Sequence, residues 1–177
     1  MPGITIHLAA ANEYLKKHPE ENAEDFLVGS VAPDCVPRHD VTHHSSPHYS
    51  EKDALTFLVG KVNLGECLPD FDINTSYGRG YFFHLLTDNE FYRNTLGKDK
   101  DRFSQISYEE LEKQLENDYN VTSCFLKNRY DVVYPSIVAQ YDVNTSGAPE
   151  VLDVEGYCDF IDRIASEDLM GEYRHLC

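Results

Sequence analysis

His84 and Asp88 stand four residues apart in Tyr81-Phe82-Phe83-His84-Leu85-Leu86-Thr87-Asp88, an otherwise apolar helical segment. Four helical residues overshoot a full turn by about 40°, so both side chains leave one face and can grip one ion. A carboxylate inside an apolar helix costs on the order of several kcal/mol unless it is paired or metal-bound. Two readings answer that cost: an imidazole hydrogen-bonded to the aspartate, or a cation held by both.

Other histidines and carboxylates extend the pattern. His39, His43, His44 and His48, four of the eight histidines, crowd the irregular stretch from Cys35 to Ser50. Asp34 opens that stretch at Ala32-Pro33-Asp34, where the residue ahead of proline is pushed out of the α region. Loops of this length are usually functional or disordered. His7 lies beside the apolar stripe of the first helix, with Ala11 and Tyr14 at i+4 and i+7, and is expected to face inward. Imidazole nitrogen and carboxylate oxygen are donors that zinc favours, and no C-x-x-C pair offers a thiolate site instead. Mixed histidine and aspartate ligation with at least one water is the chemical expectation, and such a water becomes a nucleophile near neutral pH.

The elements that must position these residues read as helices. Ile4 to Lys17 carries Ile4, Leu8, Ala11 and Leu15 as one stripe, closed by His18-Pro19. Phe26 to Val31 is a short apolar piece. Ser50-x-x-Asp53 caps a helix to about Asn63, and Leu64 to Thr75 is a connection. Ser76 to Leu96 is the central helix, ended by Gly97; its Gly78 and Gly80 imply close packing of a neighbour near the His84 face. Lys98 to Arg102 reads as a charged, solvated loop. Ser107-x-x-Glu110 is a capping box for a long helix through Leu126, with Leu111, Leu115 and Tyr119 inward. Tyr134 to Tyr141 and Val154 to Leu169 are further helical candidates, although Val132-Val133-Tyr134 also suits a strand. The fold class is all-α, and 177 residues suit one domain spanning 1–177.

Fifteen Lys and Arg against 31 Asp and Glu give a formal charge of −16, which favours cations and disfavours nucleic acid and anionic lipid as partners. Five widely spaced cysteines, Cys35, Cys67, Cys124, Cys158 and Cys177, suggest reduced thiols and a cytoplasmic protein. No signal-like start and no apolar run near 18 residues occur, so no integral membrane segment is expected. Cys35 has no identifiable base beside it that would make it a nucleophile.

Taken in order, His7, Gly29-Ser30-Val31-Ala32-Pro33-Asp34, then Thr42-His43-His44 or Pro47-His48-Tyr49, then Gly80 through Asp88, the first 95 residues or so resemble the zinc-dependent phospholipase C family. That superfamily is all-α and also contains fungal single-strand nucleases and small bacterial members. The resemblance implies a helical bundle with one or two zinc ions. Asp34 matches a loop aspartate that ligates zinc and orients or deprotonates the attacking water. His84 and Asp88 match a helical pair whose aspartate can bridge two ions, and His7 matches a ligand of the second ion. The loop ligand is His48 by spacing from Asp34, or His43 by its Thr-His context. The chain departs from the family in having no tryptophan, and Asn94 and Leu96 stand where a further histidine is expected. Glu167, Asp168, Glu172 and His175 could substitute at a third site, or form an acidic C-terminal helix end.

The resemblance implies a hydrolase of phosphate esters, acting on a small molecule or a lipid head group rather than on nucleic acid. The alternatives are a non-catalytic metal-binding regulatory or interaction domain of the same fold, and a helical protein whose histidines and carboxylates pair without metal.

Overall fold

The computed structural model describes residues 3–35, 42–43, 64, 71–103, 105–133 and 135. Among them the regular elements are helical and no strand occurs. Helix α1 (Ile4–Leu15) is followed by α2 (Ala23–Gly29) and a 3₁₀ turn (Ala32–Cys35). Helix α3 (Ser76–Phe91) runs on through a wider π-helical turn (Tyr92–Leu96), a 3₁₀ turn (Gly97–Asp99) and short α4 (Lys100–Phe103) before α5 (Tyr108–Tyr130).

Local chemistry explains the ends. The Asn22 side chain accepts from the Asp25 amide at 3.3 Å, and Glu24 and Asp25 suit the positive end of α2. The Thr75 hydroxyl accepts from the Gly78 amide at 2.9 Å and donates to the Asp72 carbonyl at 2.8 Å, tying the start of α3 to the preceding loop. Ser107 accepts from the Glu110 amide at 3.2 Å, as the capping box requires. Helix α5 ends at Asp131, whose φ of 46° is the left-handed conformation that closes many helices.

The α1 stripe packs as its spacing requires: Leu8 and Ala11 are buried, with Ile4 and Leu15 against the same core as Phe26, Val28, Tyr81 and Leu85. Leu111 and Leu115 are buried with Tyr92, and Tyr119 packs against them. Three expectations change. The central helix does not continue regularly to Leu96, because the turn widens after Phe91 and carries Tyr92 into the α5 cluster. The segment expected to be a solvated loop is helical, 3₁₀ over Gly97–Asp99 and then α4, though exposed at Lys98, Asp99, Asp101 and Arg102. Cys124 is held in a disulfide, so the expectation of five reduced thiols does not stand, and with it goes the thiol argument for a cytoplasmic location. The proposed helices from Ser50, at 134–141 and at 154–169 lie outside the described residues. No described helix is long and apolar enough to cross a membrane.

Helices α2 and α3 approach backbone to backbone. A Cβ on Gly29 would overlap the Tyr77 carbonyl, and one on Gly80 would overlap the Phe26 carbonyl, so the two backbones touch where each helix lacks a side chain. Gly78 has a different role, since its missing Cβ leaves room for the Asp72 carbonyl of its own loop. Beside this contact Arg79 grips Glu21 with Nε and Nη2, both at 2.6 Å, while Nη1 donates to the Ile73 and Asn74 carbonyls. The Ser76 hydroxyl donates to the same carboxylate at 2.7 Å. Arg79 and Ser76 hold the Glu21 carboxyl below its ordinary value against the opposing effect of burial.

Two stability outcomes follow. Alanine in place of glycine ordinarily stabilises a helix by about 1 kcal/mol. Here Gly29→Ala and Gly80→Ala should each destabilise by about 3 kcal/mol, read by denaturant or thermal unfolding; a gain in stability would refute the backbone contact. Glu21→Gln should cost about 1–2 kcal/mol at pH 7. Because the folded-state pKa of Glu21 lies below 4.5, its contribution is present at neutral pH and is lost as pH falls from about 4.5 through the folded-state value. The melting-temperature gap between wild type and variant should therefore close in that window, and a gap that is constant with pH would contradict the pairing.

Candidate metal centre

Ser30 ends α2 and is fully buried, its hydroxyl turned back to the Leu27 carbonyl at 2.8 Å. Its own carbonyl points across the Gly29–Gly80 contact and lies 2.9 Å from His84 Nδ1. A carbonyl only accepts, so His84 carries its proton on Nδ1 and presents a bare Nε2 to the interior.

His43 is also held at its Nδ1 side. The Thr42 hydroxyl donates to the Pro33 carbonyl at 2.9 Å and lies 3.1 Å from His43 Nδ1, so the other ring nitrogen of His43 is turned into the cluster. The two Nε2 atoms face one another at 3.1 Å.

Carboxylates complete the cluster. Asp34, on the 3₁₀ turn, brings Oδ1 to 3.3 Å from His43 Nε2 and 3.6 Å from His84 Nε2. Asp88 Oδ2 lies 3.5 Å from His43 Nε2 and 3.8 Å from His84 Nε2. Its other oxygen, Oδ1, faces His7 Nε2 at 3.3 Å. The His7 ring stacks on His84 with centroids 3.8 Å apart and planes 13° from parallel. Asp88 and His7 are both fully buried, and neither carboxylate oxygen of Asp88 nor either ring nitrogen of His7 has a hydrogen-bond partner. Among the described residues no Lys or Arg is ion-paired with Asp88.

The electrostatics sharpen the arrangement. Burial, and then the neighbouring His7, push the His84 imidazole down to about 3. Burial would raise the Asp34 carboxyl, but His84, His43 and His7 hold it well below the usual carboxylate range. Asp88 is lowered against its own burial by His84 and His7. Imidazoles and carboxylates converging in a buried space form a group that a cation would neutralise.

The donors fit an ion. His43 Nε2 and His84 Nε2 lie 3.1 Å apart and 3.3–3.8 Å from Asp34 Oδ1 and from Asp88 Oδ2, close to the ~3.3 Å separation between neighbouring ligands of an ion with ~2.0–2.1 Å bonds to nitrogen and oxygen. His7, Asp34 and His84 form a second group whose ligand atoms lie within 4.8 Å of one another, as do those of His43, His84 and Asp88. These buried histidine and aspartate groups could hold a metal ion.

Of the six residues singled out from the sequence, His7, Asp34, His43, His84 and Asp88 are brought together. His48 lies outside the described residues, as do His39, His44, Glu167, Asp168, Glu172 and His175. Asn94 is exposed and donates to the Glu90 side chain, so it does not reach the cluster. The sequence reading did not single out the Ser30 carbonyl, the Thr42 hydroxyl or Tyr81, whose hydroxyl donates to the Thr42 carbonyl at 2.9 Å. Tyr81 carried a signal, since it stands at i−3 from His84 on the same helix face and a buried phenol needs a partner. Compared with protein-family models, curated proteins and solved structures, the chain finds no match in any of the three.

Proposed function

We propose that the chain binds zinc at this cluster and is a hydrolase of phosphate esters, of the kind its resemblance to the zinc-dependent phospholipase C family implies. The supporting observation is the convergence of two imidazole Nε2 atoms and two carboxylates at 3.1–3.8 Å in a buried space. A cation among them would bond both imidazoles and offset the charge of Asp34 and Asp88. Two imidazoles with two carboxylates are donors suited to zinc rather than to calcium or magnesium. His43, His84 and Asp88, with Asp34 beside them, would hold one ion, and His7, Asp34 and His84 are the residues that would serve a second.

When bound, zinc supplies Lewis acidity toward phosphoryl oxygens and activation of water. The chain's own residues supply placement. Asp34 has the most exposed side chain of the four, at 9 % against 0–4 % for the others, and its carboxyl stays ionised. It is the member placed to orient a water arriving from solvent and accept its proton. Ser30 and Thr42 keep both imidazoles aimed inward, and the α2–α3 contact fixes the spacing.

A second reading rests on the same distances. If Asp34 and Asp88 both joined His43 and His84 on one zinc, four protein donors would saturate it, which is the pattern of closed structural sites, whereas catalytic sites keep a position open. On that reading the chain is a non-catalytic metal-binding module.

The purified, untagged protein should contain about one to two zinc per chain, and less than about 0.2 with no uptake on adding zinc would refute the site. Chelation should lower the melting temperature by about 5–10 °C, and Asp88→Asn should abolish that sensitivity; equal responses of wild type and variant would move the ion elsewhere. With zinc supplied equally, a soluble phosphodiester or a phosphocholine ester should be hydrolysed in preference to single-stranded DNA, as a charge of −16 requires. Asp34→Asn and His84→Ala should abolish turnover. Preferential DNA cleavage lost in Asp34→Asn would overturn the substrate class, and zinc binding without turnover of any ester would select the non-catalytic module.

A further inference from the structure

His7 stands on α1, His84 and Asp88 stand on α3, and Asp34 stands on the 3₁₀ turn that follows α2. His43 comes to them from outside these elements, so its place depends on what ties its backbone to them. Tyr81 supplies such a tie. A carbonyl only accepts, so the phenol donates to the Thr42 carbonyl, at 2.9 Å, directly before His43. Tyr81 also lies one turn before His84, so one helix carries both this anchor and the imidazole that His43 faces at 3.1 Å.

The anchor is set firmly in the core. The Tyr81 side chain is 1 % exposed and its ring packs on Phe71 with centroids 4.9 Å apart. Its backbone amide lies where a Cβ on Gly29 would fall, so the α2–α3 contact fixes the base of the side chain. Thr42 and His43 are buried as well, and water competes poorly for a bond in such surroundings. On its other side the Thr42 hydroxyl donates to the Pro33 carbonyl at 2.9 Å, next to Asp34. Thr42 is thereby tied to both elements that bear the partners of His43, with the Tyr81 bond setting its distance from α3.

We propose that Tyr81 is a positioning residue of this centre: its hydroxyl holds the backbone of Thr42 and His43 against α3, which keeps the His43 imidazole in the cluster beside His84 and Asp88. The ligand role of His43 rests on the zinc reading above, whereas its placement belongs to the metal-free chain as well. Phenylalanine at 81 keeps the ring and its packing and removes the donor.

Diethylpyrocarbonate, which acylates accessible imidazoles, reads that placement in the full-length, metal-free protein, with tandem mass spectrometry separating His43 from His44. His7, His43 and His84 should all react slowly in wild type. In Tyr81→Phe, His43 should react about 10-fold faster while His7 and His84 stay protected. Zinc affinity, measured by competition with a chromophoric chelator, should weaken about 10-fold in Tyr81→Phe. In a His43→Gln background the same substitution should cause no further loss, whereas a bond that only supports the fold would lower affinity equally in both backgrounds. A readily acylated His43 in wild type overturns the proposal without any variant. Unchanged protection of His43 in Tyr81→Phe overturns it too, and so does release of all three histidines together or an additive loss of affinity. If wild type takes up no zinc while Tyr81→Phe still releases His43 alone, the zinc reading fails and the hold of Tyr81 on His43 stands.

Discussion

Glycine at positions 29 and 80 lets two helix backbones touch, and that approach brings the Ser30 carbonyl to 2.9 Å from His84 Nδ1. Any side chain at either position would push α2 and α3 apart by more than a hydrogen bond can stretch. The imidazole would lose the acceptor that fixes its proton, and the Asp34 turn, which follows α2 directly, would move with it. The ion-pair clasp of Glu21 with Arg79 and Ser76 closes the same contact from its other end. Packing in this region is therefore inseparable from the direction in which His84 presents its free nitrogen.

The cluster itself is costly to the fold. His7, His84 and Asp88 are fully shielded from solvent and His43 nearly so, yet apolar side chains of similar volume would pack there without electrostatic penalty. Proteins retain such groups where a site needs them, and accept the lost stability. Two carboxylates and the Nε2 atoms of His43 and His84 converge in this buried space, and such a group could hold a metal ion. The stacking of His7 on His84 extends the pocket toward the second oxygen of Asp88.

Much of this was legible in the residues. The His84 and Asp88 spacing places both on one face whatever the tertiary structure, and the Ser107 cap and the Leu8 and Ala11 stripe act locally. Gly80 was readable as a close approach because an exposed helix gains nothing from glycine. Which loop histidine joins the cluster was not legible, since sequence spacing within an irregular loop does not set direction in space; among the described residues His43 is there, and His48 lies outside them. The groups that orient the two imidazoles, the Ser30 carbonyl and the Thr42 hydroxyl, were equally hidden, because most positions in any protein could offer them. The widened turn after Phe91 and the helical character of 97–103 depend on where Tyr92 finds Leu111 and Leu115. The Cys124 disulfide is a matter of tertiary proximity that cysteine spacing does not encode.

Zinc K-edge X-ray absorption on the protein loaded with one equivalent of zinc addresses the central claim most directly. The account predicts a single shell of about four nitrogen and oxygen ligands at about 2.0–2.1 Å, with the outer-shell scattering of two imidazoles and no sulfur. A sulfur shell near 2.3 Å, or an oxygen-only shell without imidazole scattering, would place the ion away from His43 and His84 and contradict it.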